Sequence, residues 1–154
     1  MQDTLVDIRK KLQDAAYENE EHVRFALAGR LLEKLGWDIW DPRQVYAEYI
    51  PAPDEDKTKV DFALFSMRRP AIFIEVKAVG KAKANLDETE KQLRNYNRDI
   101  TAVFCVITDG AEWRFYYSKS QGPFKDKCFK VIDLLSDDLE DAKTSMLTFL
   151  FSAG

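Results

Sequence analysis

The segment AIFIEVK, Ala71 to Lys77, sets a carboxylate and an ammonium two residues apart inside an otherwise apolar run. Strand alternation sends Phe73, Glu75 and Lys77 to one face and Ile72, Ile74 and Val76 to the other. Charges on such a strand are costly unless something uses them. The preceding apolar segment, KVDFALF, offers a partner in Asp61. If the two strands close through a three-residue loop, Met67-Arg68-Arg69, then Ser66 faces Pro70 and Asp61 falls opposite Glu75, with Cβ atoms about 5 Å apart. Two carboxylates that close repel, and a divalent cation between them keeps both ionised. Oxygen ligands favour Mg²⁺, with Mn²⁺ as substitute, over zinc, and leave coordination positions for water and a phosphate. Lys77 then orients the attacking water or stabilises charge at the phosphate, and the expected chemistry is phosphodiester hydrolysis by a metal-activated water. The same three residues also fit a partly buried ion-pair network, or a sheet edge meeting solvent.

These side chains need a sheet to hold them. QVYAEYI (residues 44–50), KVDFALF, AIFIEVK, AVFCVIT (residues 102–108), EWRFYYS (residues 112–118) and KCFKVIDL (residues 127–134) read as strands, with Asp109-Gly110 as a turn and Pro70 opening the third strand. A helix is expected over residues 3–16 through Leu5, Ile8, Leu12 and Ala15 or Ala16. A second is capped by Asn19, carries Val23, Leu27, Leu31, Leu32 and Leu35, and stops at Gly36. Residues 86–98 form a polar helix turned inward at Leu86, Thr89, Leu93 and Tyr96 or Asn97. Residues 138–151 form the last, with Leu139, Ala142, Met146, Leu147 and Leu150. PAPDEDKTK, residues 51–59, reads as a loop. Strands as apolar as AIFIEVK and AVFCVIT require cover on both faces, so the fold class is α/β, a mixed central sheet flanked by helices.

Composition narrows the function further. The 154 residues suit one domain, 1–154, and 45% hydrophobic with 32% charged residues is the balance of a globular protein. A single histidine, His22, excludes a zinc site built from several histidines, and Cys105 and Cys128 read as free thiols. The first residues hold no apolar signal core and no stretch is long enough to span a membrane, so a cytoplasmic protein is expected. The net charge of -4 opposes a nucleic-acid partner, but Lys77, Lys81, Lys83, Lys91, Arg94 and Arg98 form a basic stretch, while Asp133, Asp137, Asp138, Glu140 and Asp141 gather the acidic surplus elsewhere. Lys57 and Lys59 before Asp61, and Lys81 and Lys83 after Lys77, are candidate phosphate contacts. Arg68 and Arg69 rank below them at a hairpin tip.

The ordered set of motifs resembles the PD-(D/E)xK nuclease superfamily, and within it the N-terminal nuclease domain of the type I restriction enzyme restriction (R) subunit, here as a stand-alone domain. In such domains a helix beginning E-x-x-(T/V)-R runs to L-G-W, matched by Glu20-Glu21-His22-Val23-Arg24 and Leu35-Gly36-Trp37. A strand with a Glu matches Val45 to Tyr49, the metal-site Asp matches Asp61, and E-x-K matches Glu75-Val76-Lys77. A helix with Gln and Tyr four apart matches Gln92 and Tyr96, and T-N-G-x-x-W matches Thr108 to Trp113, with Asp109 in place of Asn. The likeness runs from about Glu20 to Asp133. Val60 stands where the motif name has Pro.

The resemblance implies a restriction-endonuclease-like core and a Mg²⁺-dependent DNA endonuclease. Its site comprises Asp61 and Glu75 as metal ligands, Glu20 touching the metal directly or through water, and Lys77 as the catalytic cation. Glu18 and Glu21 compete with Glu20, which the inward stripe Val23, Leu27 and Leu31 favours. Glu48, Gln92 and Tyr96 either support the site or contact DNA, and Trp37 and Trp113 belong to the core. No Gly-rich loop with a nucleotide-binding Lys is present, so any DNA translocation requires a separate motor or specificity protein. Cutting both strands favours a homodimer or two encounters. Two other readings stay open: a catalytically weak or inactive DNA-binding and assembly module of the same fold, and an RNA-directed or partner-dependent nuclease.

Overall fold

The computed structural model describes residues 1–51, 59–97 and 102–152. Helix α1 spans Gln2–Gln13. Helix α2 runs over residues 20–34 and contains a π-helical stretch, Val23–Gly29. Strands β1 (Val45–Tyr49), β2 (Val60–Ser66) and β3 (Arg69–Val76) precede α3 (Leu86–Tyr96). Then come β4 (Phe104–Thr108), β5 (Glu112–Tyr117), a 3-10 turn (Phe124–Lys127), β6 (Cys128–Asp133) and α4 (Leu139–Phe149). The strands form a six-stranded sheet in the order β1-β2-β3-β4-β5-β6. Among the described residues only β3 and β4 pair in parallel, joined by the crossover that includes α3.

The period-two pattern of β3 builds the layers. Ile72, Ile74 and Val76 enter the larger core beneath α1, α2 and α4, with Leu5, Leu27, Leu31, Trp113 and Met146. Phe73 enters the smaller core beneath α3, with Leu93, Tyr96, Cys105, Ile107 and Tyr116. Burial on both faces is what the apolar runs demand. Trp37 and Trp113 are buried, as expected, and their indole N–H groups donate to the carbonyls of Leu150 and Gly110. Both cysteines are free.

The Asn19 cap is present, its side chain accepting from His22 N at 2.8 Å, and Gly36 at φ 97° ends the chain's second helix where expected. Other boundaries move. Helix α1 ends at Gln13, and Ala15 takes φ 55° in solvent, so Ala15 and Ala16 lie outside the core. Leu147 is partly exposed, while Glu90 joins Thr89, Leu93 and Tyr96 on the buried face of α3. The β2–β3 hairpin also differs from expectation. Ser66 pairs with Arg69, so the turn is Met67-Arg68, both at positive φ (52° and 66°), and Pro70 is the second residue of β3. Such a mirror-type turn matches strand twist. A bulge between the Phe65–Pro70 and Leu64–Ile72 pairs restores the lost residue, so Phe62 pairs with Ile74 and Asp61 comes level with Glu75. Among the described residues no helix is long and apolar enough to cross a membrane.

Candidate metal and phosphate site

The β2–β3 ladder ends at the Phe62–Ile74 pair, and side chains take over from backbone beyond it. Asp61 Oδ2 accepts from Val76 N at 2.8 Å, and Glu75 Oε1 faces Asp61 N at 3.4 Å. Each carboxylate is thereby turned toward the other strand. Lys77 leaves the same strand end with its N–H donated to Thr108 O at 2.8 Å, and its Nζ lies 3.8 Å from Glu75 Oε2. Asp61 Oδ1 and Glu75 Oε2, which those backbone bonds leave over, face the cations Arg24 at 3.5 Å and Lys77 at 3.8 Å.

The electrostatics follow from burial. The Glu75 side chain is only 8% exposed. Burial first, and the Asp61 charge second, push its carboxyl from 4.5 up to about 8, against the opposing pull of Lys77. Glu20, at the start of α2, is also held above the usual carboxylate range, by partial burial and then by Asp61, while Lys77 and Arg24 act the other way. Glu20 therefore feels the charges of Asp61 and Lys77. Glu21 is committed instead to an ion pair with Arg24, and Glu18 N donates to His22 Nδ1 at 3.0 Å.

The remaining candidates form an outer ring. Glu48 lies on β1 between the Ala47–Phe62 and Tyr49–Val60 pairs, level with Asp61, at φ 55°, a left-handed value that costs a non-glycine residue about 1–3 kcal/mol. Its carboxylate meets Arg24 at 3.6 Å and Lys59 at 3.8 Å. Tyr96 OH donates to Lys59 O at 3.0 Å, so α3 pins the chain just ahead of Asp61. Gln92 is half-buried on α3, Lys81 is exposed, and Lys83 pairs with Glu112 at 3.5 Å. Among the described residues no bond ties these three to the carboxylate pair. Lys57 lies outside the described residues, as does Arg98. Arg68 sits in the turn at the other end of β2 and β3, with Arg69 at the start of β3.

Three residues with no role in the sequence reading emerge. Arg24 joins Glu21, Glu48 and Asp61, and its signal was the cation one turn after Glu20. Asp109, expected only as a turn residue, is buried and accepts from four backbone N–H groups: Gly80 and Ala82 after Lys77, and Ala111 and Glu112 across the β4–β5 turn. It ties the loop bearing Lys81 and Lys83 to the sheet. Glu90 accepts from Tyr116 OH at 2.6 Å, which explains a carboxylate on the buried face of α3.

The donor set fits a hard divalent cation: two converging carboxylates, one forced toward protonation, whose spare oxygens face positive charge. Among the described residues no three Asp, Glu, His or Cys side chains are already gathered as a metal cluster. A groove of about 550 Å³ between α2 and β1 is lined by Arg24, Phe25, Glu48 and Phe62.

An open mixed sheet flanked by helices, with these carboxylates at the end of β2 and β3, defines a restriction-endonuclease-like α/β core. Residues 44–124, more than half of the chain, match the type I restriction enzyme R protein N terminus (HSDR_N), and the chain belongs to that nuclease-associated family. Among curated proteins none matches it.

Proposed function

We propose that the chain is a Mg²⁺-dependent endonuclease that hydrolyses phosphodiester bonds in DNA. The observation that carries this reading is the convergence of Asp61 and Glu75 at the end of the β2–β3 ladder, with Lys77 beside Glu75. Asp61 and Glu75 would hold the metal, with Glu20 reaching it directly or through water. Held there, Mg²⁺ or Mn²⁺ would supply Lewis acidity toward the phosphoryl group and a lowered pKa for water. Lys77 would donate to the attacking water or to a non-bridging phosphate oxygen, as the N–H donors of an ammonium group allow. Lys59, Lys81 and Lys83 would meet flanking phosphates, with Gln92 and Tyr96 ordering α3 against the strand that carries Asp61. One domain with one site cuts one strand, so cutting of both uses a homodimer or two encounters, and translocation uses a separate motor protein.

A second reading, a DNA-binding or assembly module without turnover, draws support from Arg24, whose guanidinium already neutralises Asp61. Cleavage of supercoiled plasmid with Mg²⁺ or Mn²⁺, run beside Asp61→Ala and Lys77→Ala proteins and an RNA substrate, separates the readings. Nicking that is abolished by EDTA and reduced at least about a hundredfold in both variants is expected. A folded, metal-supplied protein that leaves plasmid intact would favour the module, and cleavage of RNA alone would move the substrate class.

A further inference from the structure

Arg24 occupies an unusual position among the cations of the site. It projects from the π-helical part of α2, and its side chain is 22% exposed. One guanidinium nitrogen bonds Glu21 on its own helix. The other, Nη1, is divided between Glu48 Oε1 at 3.6 Å and Asp61 Oδ1 at 3.5 Å, both longer than a good charge-assisted hydrogen bond. Asp61 Oδ2, in contrast, is fixed by Val76 N at 2.8 Å. Arg24 is therefore tethered firmly at Glu21 and loosely at the one Asp61 oxygen that is free to take a ligand. Glu48, held at a costly left-handed φ level with Asp61, offers the guanidinium an alternative partner.

Resting on the metal-dependent reading above, we propose that Arg24 is the resident counter-cation of the Asp61–Glu75 pair, that a divalent cation displaces it from Asp61 Oδ1, and that the displaced guanidinium contacts a backbone phosphate of the substrate. Two cations cannot share Oδ1 at contact distance without strong repulsion, whereas a guanidinium tethered at Glu21 and Glu48 stays beside the groove between α2 and β1. A phosphate there would supply the anion that Asp61 no longer gives, in the bidentate geometry guanidinium favours.

Three measurements on the full chain test this. In calorimetric titration with MnCl₂ alone at pH 8, Arg24→Gln is expected to bind about tenfold tighter than the unsubstituted protein, because a positive charge beside the metal has gone. In ¹⁵N NMR the Arg24 Nε–H signal of the unsubstituted protein should move as MgCl₂ saturates, and this readout stands even if the variant does not fold. With a fluorescein-labelled DNA duplex and CaCl₂, the affinity gained on adding the ion should be about fivefold smaller in Arg24→Gln. Unchanged or weaker Mn²⁺ affinity in the variant, or an Arg24 signal that stays in place, overturns the counter-cation role. An equal gain in duplex affinity overturns the phosphate contact. Mn²⁺ binding by neither protein removes the metal-dependent reading and this inference together, whereas metal-dependent cleavage with an Arg24 signal that stays put removes this inference alone.

Discussion

Glu75 makes the stability of the metal-free protein depend on pH in a direction opposite to that of most ion-paired carboxylates. Its carboxyl is raised from 4.5 to about 8, first by burial and then by Asp61. Between those values it is protonated in the native state and ionised in the unfolded chain, so the native state binds more protons and stability falls as pH rises. The slope approaches about 1.4 kcal/mol per pH unit, which amounts to roughly 3 kcal/mol between pH 5.5 and 7.5. For a chain of this size that is a fall in Tm of about 6–12 °C. Glu20, also raised, acts in the same direction. Asp7 and Asp41, whose carboxyls are lowered below 3.8 by their cationic partners, titrate beneath this window. Thermal unfolding in EDTA across the window should show the fall in the unsubstituted protein and a much flatter profile in Glu75→Gln. If the ionised pair holds Mg²⁺ in the folded state as proposed, the added ion should raise Tm more at pH 7.5 than at pH 5.5. A Glu75→Gln profile parallel to that of the unsubstituted protein, or stability that rises with pH, would refute the buried-pair reasoning.

Asp109→Asn keeps the shape but presents an amide to two of the four N–H groups that the carboxylate now accepts, and a stability loss of about 3 kcal/mol is expected by urea unfolding. The same variant should speed hydrogen exchange at Gly80 and Ala82 more than at the β4 amides, and uniform acceleration would show that the loop is not specifically held. Gly110→Ala should cost at least about 2 kcal/mol, since φ is +91° and the new Cβ would lie 2.7 Å from Leu27 Cδ1 in the packed core. An unchanged urea midpoint would refute that close approach.

Most of the sheet was legible because its strands obey period two between turn residues, and the double-sided burial of β3 and β4 follows from their unbroken apolar runs. The level placement of Asp61 and Glu75 was also legible, although by a route the chain does not take: a shorter turn at Met67-Arg68 and a bulge near Ala71 replace the expected three-residue loop and cancel in register. Pattern reading fixes which face a residue occupies but not where a bulge falls, since a bulge depends on local twist. Arg24, Glu90 and Asp109 were not legible for a related reason. Each is a charge whose value comes from partners distant in sequence, and a charged residue in a helix or turn reads as solvated until those partners are placed.

The irregular backbone around the pair has a common physical sense. In a regular antiparallel ladder Val76, whose backbone faces β2 while that of Lys77 faces β4, would bond Val60. Asp61 and Glu75 would then stand opposite each other as a non-hydrogen-bonded pair with no backbone partner for their carboxylates. Here the ladder stops one pair short, and Val76 N and Asp61 N turn to side-chain oxygens, which draws the carboxylates together across the strands. On the neighbouring strand Glu48 leaves extended geometry at the level of Asp61, and on the helix the π-helical stretch begins at Val23, immediately before Arg24. Three departures from regular structure, in β1, β2–β3 and α2, thus fall at the level of Asp61 and its partner Arg24. Departures of this kind cost free energy that the two hydrophobic layers must offset, and they cluster where side chains have to converge rather than alternate. On the proposed reading the convergence serves a cation and a phosphate, since Arg24 reaches Asp61 Oδ1 only at 3.5 Å, where a purely structural pair would be served by one short direct bond.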